Sequence, residues 1–370
     1  MNSFNIFTLK GVESPEYHVS LTPDASESFQ KQIDDLILKY EQVIKEFDLQ
    51  DKHLVFAKIF LSDYINQQPF VENHVRFNSI LSNSVTSIIE QPPLDGTKIN
   101  LLLYFIQTND IIIEKKDEVY FINIRGRSHI YQRITKYQEE IKTPYLQTKD
   151  AFSRHTKLLA DNALSLKDNC VRTWLYSRDV DKDYADIVKA RNDIFEKQDL
   201  TIDTHFIAST GIEGKGLLPN SSVNIDFYSI EGICNEDIHY LRALDYLNNT
   251  AEYGVAFERG TSVTYSDKKH IFISGTASIN KAGECVYRNN VLKQAERLFL
   301  NIEMLLKDVQ AALSDIAQMI VYLRDVSDYE VICDYLNTHY RGTPKVIVLA
   351  RVCRPEWLIE VECIAAKRRL

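Results

Sequence analysis

Residues 318–340 read QMIVYLRDVSDYEVICDYLNTHY, and this stretch changes its periodicity partway along. Its first half is rich in β-branched and aromatic residues, as in a buried strand. Its second half places apolar residues three and four apart, as in an amphipathic helix. An aspartate lies between the two halves, so the stretch predicts a strand, a turn and a helix.

The same order of segments occurs twice more, in LVFAKIFLSDYINQQPFVENHVRFNSIL (54–81) and CVRTWLYSRDVDKDYADIVKARNDIF (170–195). Each copy follows a long segment with helical spacing. Each copy also precedes one further strand-like run: TKINLLLYFI (97–106), SSVNIDFYSI (221–230) or WLIEVECIAA (357–366).

The repetition predicts three α+β modules of mixed sheets backed by long helices, with bounds at 1–115, 116–235 and 236–370. A chain of 370 residues with 45% hydrophobic residues is long enough for several such cores. The alternative is a chance recurrence, because strands, turns and helices alternate in any α+β protein.

Composition restricts the possible partners and cofactors. The net charge is -9 and the longest basic run is the KRR of 367–369, which argues against nucleic acid or an anionic membrane surface as a partner. The six cysteines and nine histidines show no metal-binding spacing, and glycine-rich phosphate loops are absent from the sequence. We therefore expect no metal and no nucleotide cofactor. The first residues do not resemble a secretory signal, and no run reaches the roughly 18 apolar residues of a membrane span, so we expect a soluble cytoplasmic protein.

The last strand-like run carries two acids in an apolar setting. Side chains two apart on a strand share a face, so Glu360 and Glu362 lie on one side of it. The first module has Asn100 and Leu102 at the matching positions, and the second has Asn224 and Asp226. Only the third copy has an acid at both.

The third module resembles the RidA/YjgF superfamily, small α+β proteins that trimerise and bind ligands between subunits. The resembling segments are FISGTASI (272–279), the strand-to-helix step VYLRDVSDYEVICDYL (321–336) and EVECIAA (360–366). The resemblance implies that three such modules in one chain form an internal pseudo-trimer.

Almost the whole chain resembles the chorismatases, which combine RidA-like folding with cleavage of chorismate. The resembling segments are IFLSDYINQ (59–67), IEQPPL (89–94), RTWLY (172–176), ARNDIF (190–195), STGIEG (209–214), SGTASI (274–279) and CRPEWLIEVE (353–362). Two regions, LPNSSV (218–223) and FERGTSV (257–263), do not align with that pattern. The resemblance implies an enzyme that releases pyruvate from chorismate without a cofactor.

Protonation of an enol carbon requires a neutral acid. A carboxyl that is partly buried beside a second carboxylate has a raised pKa, because two close negative charges disfavour each other. With the resemblance, this makes Glu360 the candidate proton donor and Glu362 the group that keeps it protonated. The alternative is that both acids lie on the solvated face of an edge strand.

RTWLY places Arg172, Trp174 and Tyr176 on one face of a strand. Arginine binds carboxylates bidentately, and aromatic walls suit a cyclohexadiene ring, so Arg172 and Tyr176 are candidate carboxylate ligands with Trp174 as a wall of the pocket. The alternative is an arginine lying over a core tryptophan.

Other candidates come from the third module and from two further arginines. Arg324 is a candidate second carboxylate ligand, or else it pairs with Asp325 or Asp328 at the surface. Gly275 and Ala277 provide a small-residue strand that a substrate could approach closely, or they serve packing alone. Arg191 and Arg259 are weaker candidates.

Cys353 bears on the product. In chorismatases a cysteine at this position accompanies formation of hydroxybenzoate, whereas a small apolar residue accompanies hydrolysis, so the resemblance implies 3-hydroxybenzoate. A thiol near the ring could assist an internal displacement, or it could be inert packing.

Several alternatives stay open. They are a product mixture containing 4-hydroxybenzoate, hydrolysis to a dihydroxycyclohexadiene carboxylate, a RidA-like imine deaminase, and a non-catalytic metabolite-binding protein. The resemblance implies that a RidA-like deaminase has an arginine shortly before the last strand. The deaminase is disfavoured because Pro344 and Lys345 occupy that segment here. The sequence leaves open whether the chain is a monomer or a homo-oligomer, and which pathway it serves.

Overall fold

The computed structural model describes residues 4–82, 84–248, 250 and 255–369. The first module contains β1 (Phe4–Leu9), β2 (Glu16–Leu21), α1 (Phe29–Glu46), β3 (Leu54–Leu61), α2 (Tyr64–Asn73), α3 (Val75–Leu81), β4 (Val85–Glu90) and β5 (Ile99–Ile106). The second contains β6 (Ile111–Lys116), β7 (Val119–Ile124), β8 (Arg127–Ile134), α4 (Pro144–Asp161), α5 (Leu166–Asn169), β9 (Cys170–Ser177), α6 (Val180–Lys197), β10 (Ala208–Glu213) and β11 (Val223–Ile230). The third contains β12 (Ile238–Leu241), β13 (Gly260–Thr264), β14 (Lys268–Thr276), α7 (Val291–Lys307), β15 (Ile316–Leu323), α8 (Tyr329–His339), β16 (Lys345–Leu349) and β17 (Ile359–Arg368).

The three sheets share one strand order. They run β1-β2-β5-β3-β4, β6-β7-β8-β11-β9-β10 and β12-β13-β14-β17-β15-β16, so the second and third each add one strand to a common five-stranded core. In each core the last pair of strands is parallel and the others are antiparallel. The predicted α+β fold, with RidA/YjgF-like modules repeated as an internal pseudo-trimer, is confirmed.

Long helices form because their apolar residues fall on one face. In α7 the buried positions include Val291, Ala295, Leu298, Ile302 and Leu305, which recur three or four residues apart. The side chain of Asn290 accepts a hydrogen bond from the Lys293 amide, which satisfies a backbone donor at the helix start. This apolar face packs against β14 and β17, the strands that carry the acids and the small residues.

The proposed module bounds differ from the sheets at one point. A boundary at 115/116 would divide β6, which pairs with β7 in the second sheet. We therefore propose that the first boundary lies in residues 107–110. The boundary at 235/236 lies between β11 and β12, where the chain passes from the second sheet to the third.

Each module contacts the next through the end of its last parallel strand. Glu90 forms a bridge with Lys215, Ile212 with Val352, and Pro93 with Val348. The first module therefore meets the second, the second meets the third, and the third returns to the first, which closes a ring around a pseudo-threefold axis. In the described ranges, no helix is both long enough and apolar enough to span a bilayer.

Candidate active site

Glu360 lies at the interface between the second and third modules. It is on β17, opposite Tyr322 of β15, and its exposed fraction is 4%. Its carboxyl lies directly over Gly275 of β14, where a Cβ atom would overlap Glu360 Oε1 and would lie 3.2 Å from Thr210 Cγ2. Glycine at 275 therefore leaves the room that the carboxyl occupies. The alternative of acids on a solvated edge strand is wrong, because β17 is central in its sheet and both acids are buried.

Glu362 lies on the same face of β17 and is held by cations and an indole. Its Oε2 accepts a hydrogen bond from Arg172 Nη2 at 2.7 Å, and its Oε1 accepts one from Trp174 Nε1 at 3.0 Å. Lys58 Nζ lies 3.7 Å from Oε1. Burial alone would raise the pKa of Glu362, but Lys58 and Arg172 outweigh it and lower the pKa. Glu362 is therefore an ionised carboxylate at neutral pH.

The ionised neighbour acts on Glu360. Burial and the charge of Glu362 raise the pKa of Glu360 to about 8, against the smaller opposing effect of Arg172. At neutral pH this carboxyl therefore holds its proton, although an exposed glutamate would have lost it. The pair therefore consists of one neutral acid and one carboxylate.

Cys353 and Tyr184 lie beside Glu360. Cys353, Arg191 and Glu360 all act electrostatically on the hydroxyl group of Tyr184, so the phenol lies close to the three of them. The ring of Tyr184 packs over Gly211, where a Cβ atom would lie 2.6 Å from Cε2. Removal from water and the nearby Glu360 raise the pKa of Cys353, so Cys353 is a neutral thiol rather than a thiolate.

Two arginines at this interface lie near aromatic rings or polar atoms. Arg191 of α6 is buried, and its guanidinium lies 6.0 Å from the ring centres of Phe195 and Phe257. Arg259 donates to the backbone oxygen of Asn248 at 2.9 Å. Both were weaker candidates in the sequence, and the fold brings both to the boundary of the second and third modules.

Arg172, Trp174 and Tyr176 lie behind the acid pair. Arg172 donates to Glu362, to Thr210 and, at 3.3 Å, to Ser274, and its guanidinium lies 4.9 Å from the Trp174 ring centre. These contacts commit it to the protein, so they favour the alternative of an arginine over a core tryptophan and do not support a role as a substrate ligand. Tyr176 is fully buried, with the Lys58 amine 5.2 Å from its ring centre.

Arg324 and Ala277 also have partners within the protein. Arg324 makes a bidentate ion pair with Asp181, at 2.7 Å to each oxygen, and donates to the backbone oxygen of Val352 at 2.8 Å. The predicted surface pair exists with a different partner from the two that the sequence suggested. Ala277 is buried, and its carbonyl accepts a hydrogen bond from Asn301 at 3.1 Å.

Sequence reasoning missed Lys58, Tyr184 and Thr210. A signal for Lys58 was available, because it is a single charge within the apolar run LVFAKIFL of β3. Tyr184 and Thr210 carried no such signal, since a tyrosine on a helix and a threonine on a strand are ordinary.

The family and sequence comparisons concern the third module. The profile of the family described as Endoribonuclease L-PSP matches residues 260–367. A RutC family protein from Pyrococcus abyssi is 27% identical over 99 residues, which make up 26% of this chain and 78% of that protein. Another RutC family protein, from Saccharolobus solfataricus, is 26% identical over 99 residues, which make up 26% of this chain and 79% of that protein.

The structural comparison extends over almost the whole chain. A crystal structure of a chorismatase superposes with a TM-score of 0.65 at 14% sequence identity, covering 85% of this chain and 93% of that one. A YjgF family protein from Neisseria meningitidis matches at 22% identity and a TM-score of 0.29, covering 36% of this chain and 98% of that one. The chain therefore has the fold of a chorismatase, a pseudo-trimer of RidA/YjgF-like modules whose third module is similar to the Endoribonuclease L-PSP family.

Proposed function

We propose that this protein cleaves the enolpyruvyl ether of chorismate and releases pyruvate and 3-hydroxybenzoate. The observation that carries the proposal is the buried Glu360 carboxyl next to the carboxylate of Glu362, an arrangement that raises the pKa of Glu360 to about 8. A buried acid that keeps its proton is what protonation of a carbon atom requires. The fold shared with a chorismatase agrees with this chemistry.

In the first step, the proton of Glu360 is transferred to the methylene carbon of the enolpyruvyl group. The carbon that bears the ether oxygen becomes an oxocarbenium centre, and the Glu360 carboxylate remains nearby. The new negative charge on Glu360 lies beside the positive charge of the intermediate, which it stabilises. Glu362 stays ionised throughout because Arg172 and Trp174 hold it.

In the second step, the adjacent ring hydroxyl attacks the ring carbon that carries the ether, and the ring carbon–oxygen bond breaks. Pyruvate leaves with the ether oxygen as its keto oxygen. The bridged ring oxide gives its hydroxyl proton to Glu360 and then opens. The ring carbon loses its hydrogen as a proton while the ring oxygen takes up a proton, so the phenol forms without a net gain or loss of protons. No water enters, so the products together have the composition of chorismate.

The thiol of Cys353 contributes shape rather than nucleophilic attack in this scheme, because its pKa is raised and it stays neutral. A sulfur atom next to Glu360 occupies space that an attacking water would need. We assign Arg191 and Arg259 to the two carboxylates of the substrate because of where they lie. Arg191 acts electrostatically on Tyr184 beside Glu360, and the carbonyl oxygen of Arg259 accepts a hydrogen bond from the amide of Ser274, next to Gly275.

The similarity of residues 260–367 to the L-PSP family favours one other activity, imine deamination. At the position where the deaminase arginine was expected, Lys345 begins β16, and its amine donates to the backbone oxygen of Tyr340 at 2.8 Å. The amine is engaged with the end of α8, so deamination is the weaker proposal.

The test is incubation of the purified chain with chorismate, with pyruvate followed by a coupled assay and the ring product by chromatography with mass detection. Pyruvate in equal amount with 3-hydroxybenzoate supports the proposal. A product heavier by one water is the diol acid, which would retain Glu360 as the acid but refute the internal displacement. Chorismate that binds and is recovered unchanged refutes the enzyme and favours a metabolite-binding protein.

A further inference from the structure

A cavity lies between the three modules, around the pseudo-threefold axis, and Glu360 does not line it. It has a volume of about 390 Å³ and is bounded by strands of all three modules. Exposed or partly exposed residues, among them Glu13, Arg125 and Ser266, surround one end. Buried Lys58, Arg172, Trp174 and Glu362 line the other end. The cavity is therefore a deep pocket with a charged floor.

Aromatic side chains from all three modules contribute to the walls of this axial pocket. They include Phe56, Tyr104, Tyr131, Trp174, Tyr228 and Phe272. Aromatic walls favour a planar ring, because a flat ring can stack on a face or meet an edge of its neighbours.

The floor carries an excess of positive charge. The charged groups that act on Lys58 are the cations Arg172 and Arg133 and the anions Glu362 and Asp226. Arg172 and Glu362 line the pocket with Lys58, whereas Arg133 and Asp226 do not line it. Three cations therefore face two anions, which leaves one positive charge. Lys58 Nζ lies 3.7 Å from Glu362 and makes no hydrogen bond within the part of the chain that the structure describes. The ammonium group can donate to an anion that enters the pocket.

Among the residues that line the pocket, His18 has a buried ring nitrogen with no hydrogen-bond partner in the described part of the chain. Its Nδ1 lies 3.0 Å from Gln318 Oε1, which can only accept, so Nδ1 carries the ring hydrogen. Its Nε2 is therefore an acceptor, and among the described residues nothing donates to it. The ring is 3% exposed and stacks on Tyr104 with ring centres 4.6 Å apart. A buried acceptor without a donor costs free energy, which a ligand hydroxyl would recover.

Three other titratable side chains of the pocket, two histidines and a lysine, have partners within the protein. His270 bonds to Glu16 at 2.7 Å, Lys268 pairs with the same carboxylate, and His129 bonds to the Tyr228 hydroxyl at 2.8 Å. Polar atoms of the lining that lack a hydrogen-bond partner among the described residues include His18 Nε2, the Tyr104 hydroxyl and Arg127 Nη1, in addition to the Lys58 ammonium at the floor.

We propose that the axial pocket binds a small hydroxylated aromatic monocarboxylate, with its carboxylate at Lys58 and its hydroxyl donating to His18 Nε2. The ring lies between the aromatic walls. This ligand class includes the product proposed above, but the inference depends only on the axial pocket and holds whatever reaction Glu360 performs.

The test is calorimetric titration of the full chain with 3-hydroxybenzoate, benzoate and 3-hydroxybenzyl alcohol. We expect 3-hydroxybenzoate to bind, and loss of either polar group to weaken binding by about tenfold. Lys58→Met should weaken 3-hydroxybenzoate by about tenfold or more, and His18→Phe should abolish the preference for 3-hydroxybenzoate over benzoate.

Arg191→Met is the matched control, because it removes a buried arginine from the Glu360 interface and leaves the axial pocket intact. Binding that survives Arg191→Met and fails in Lys58→Met supports the proposal. The opposite pattern, or no binding at millimolar ligand, overturns it. If a variant fails to fold, the native chain is crystallised with 3-bromo-5-hydroxybenzoate and the bromine is located. Bromine in the axial pocket supports the proposal, and bromine found elsewhere overturns it.

Discussion

The interface between the second and third modules and the interface between the first and second use the same strand positions with different side chains. At the interface between the second and third modules, Glu360 and Glu362 occupy the two positions. At the other, Asn224 and Asp226 occupy them, and Asp226 accepts hydrogen bonds from Ser87 at 2.6 Å and Tyr131 at 2.8 Å. Both interfaces thus hold a carboxylate at the inner position.

The outer position differs in its chemistry. Glu360 can give up a proton, whereas the amide of Asn224 cannot. The glycines beside the two side chains lie at different places in their modules. Gly275 is on β14, and a Cβ atom there would overlap Glu360. Gly216 lies beyond the end of β10, and a Cβ atom there would lie 2.6 Å from Asn224 Oδ1. Both interfaces therefore hold a buried carboxylate. Of the two, the interface between the second and third modules has a carboxylic acid beside that carboxylate, and the other has an amide.

The largest expected effect comes from making the two interfaces alike. Glu360→Gln removes the proton donor and keeps the shape, so we expect chorismate turnover to fall by about 10³-fold, measured as pyruvate release. Asn224→Asp is the matched control and should change turnover by less than about twofold. Equal losses in both variants would mean that Glu360 acts only through folding.

The proton on Glu360 can also be removed by pH. The active form is the protonated one, so activity is present below the pKa of about 8 and is lost above it. We expect kcat/KM to fall by about tenfold for each pH unit above that value. A profile that instead rises through this range would show that the carboxylate, acting as a base, is the active form.

The next effect comes from the space beneath the outer side chain. Gly275→Ala displaces the Glu360 carboxyl, and a misplacement of about 1 Å can cost about 100-fold in kcat. Gly216→Ala, which displaces Asn224, is the control, and it should reduce thermal stability without a comparable loss of kcat. If the two variants lose kcat equally, the interface between the first and second modules also participates in the reaction.

The smallest effect is expected at Arg324. Its ion pair with Asp181 is partly exposed, so Arg324→Met should lower the free energy of unfolding by about 0.5 to 1 kcal/mol. The KM for chorismate should change by less than about twofold, because the guanidinium is engaged with the protein. A tenfold rise in KM with unchanged stability would restore Arg324 as a carboxylate ligand.

Much of the fold could be predicted from the sequence because hydrophobic periodicity repeats with the modules. Glu360 and Glu362 were found in the same way, since two acids in an apolar strand break the pattern. The role of Arg172 could not be predicted, because its partner Glu362 is 190 residues away and only the packing of modules brings them together. Tyr184 was missed for the same reason.

The ring of modules within one chain has a consequence for assembly. A trimer of separate subunits with sites between them dissociates on dilution, and its sites then come apart. Here the connecting segments make the corresponding association intramolecular, so the local concentration of each module near its neighbours is fixed by the linkers. The integrity of the Glu360 interface should therefore not depend on how much of the protein a cell contains.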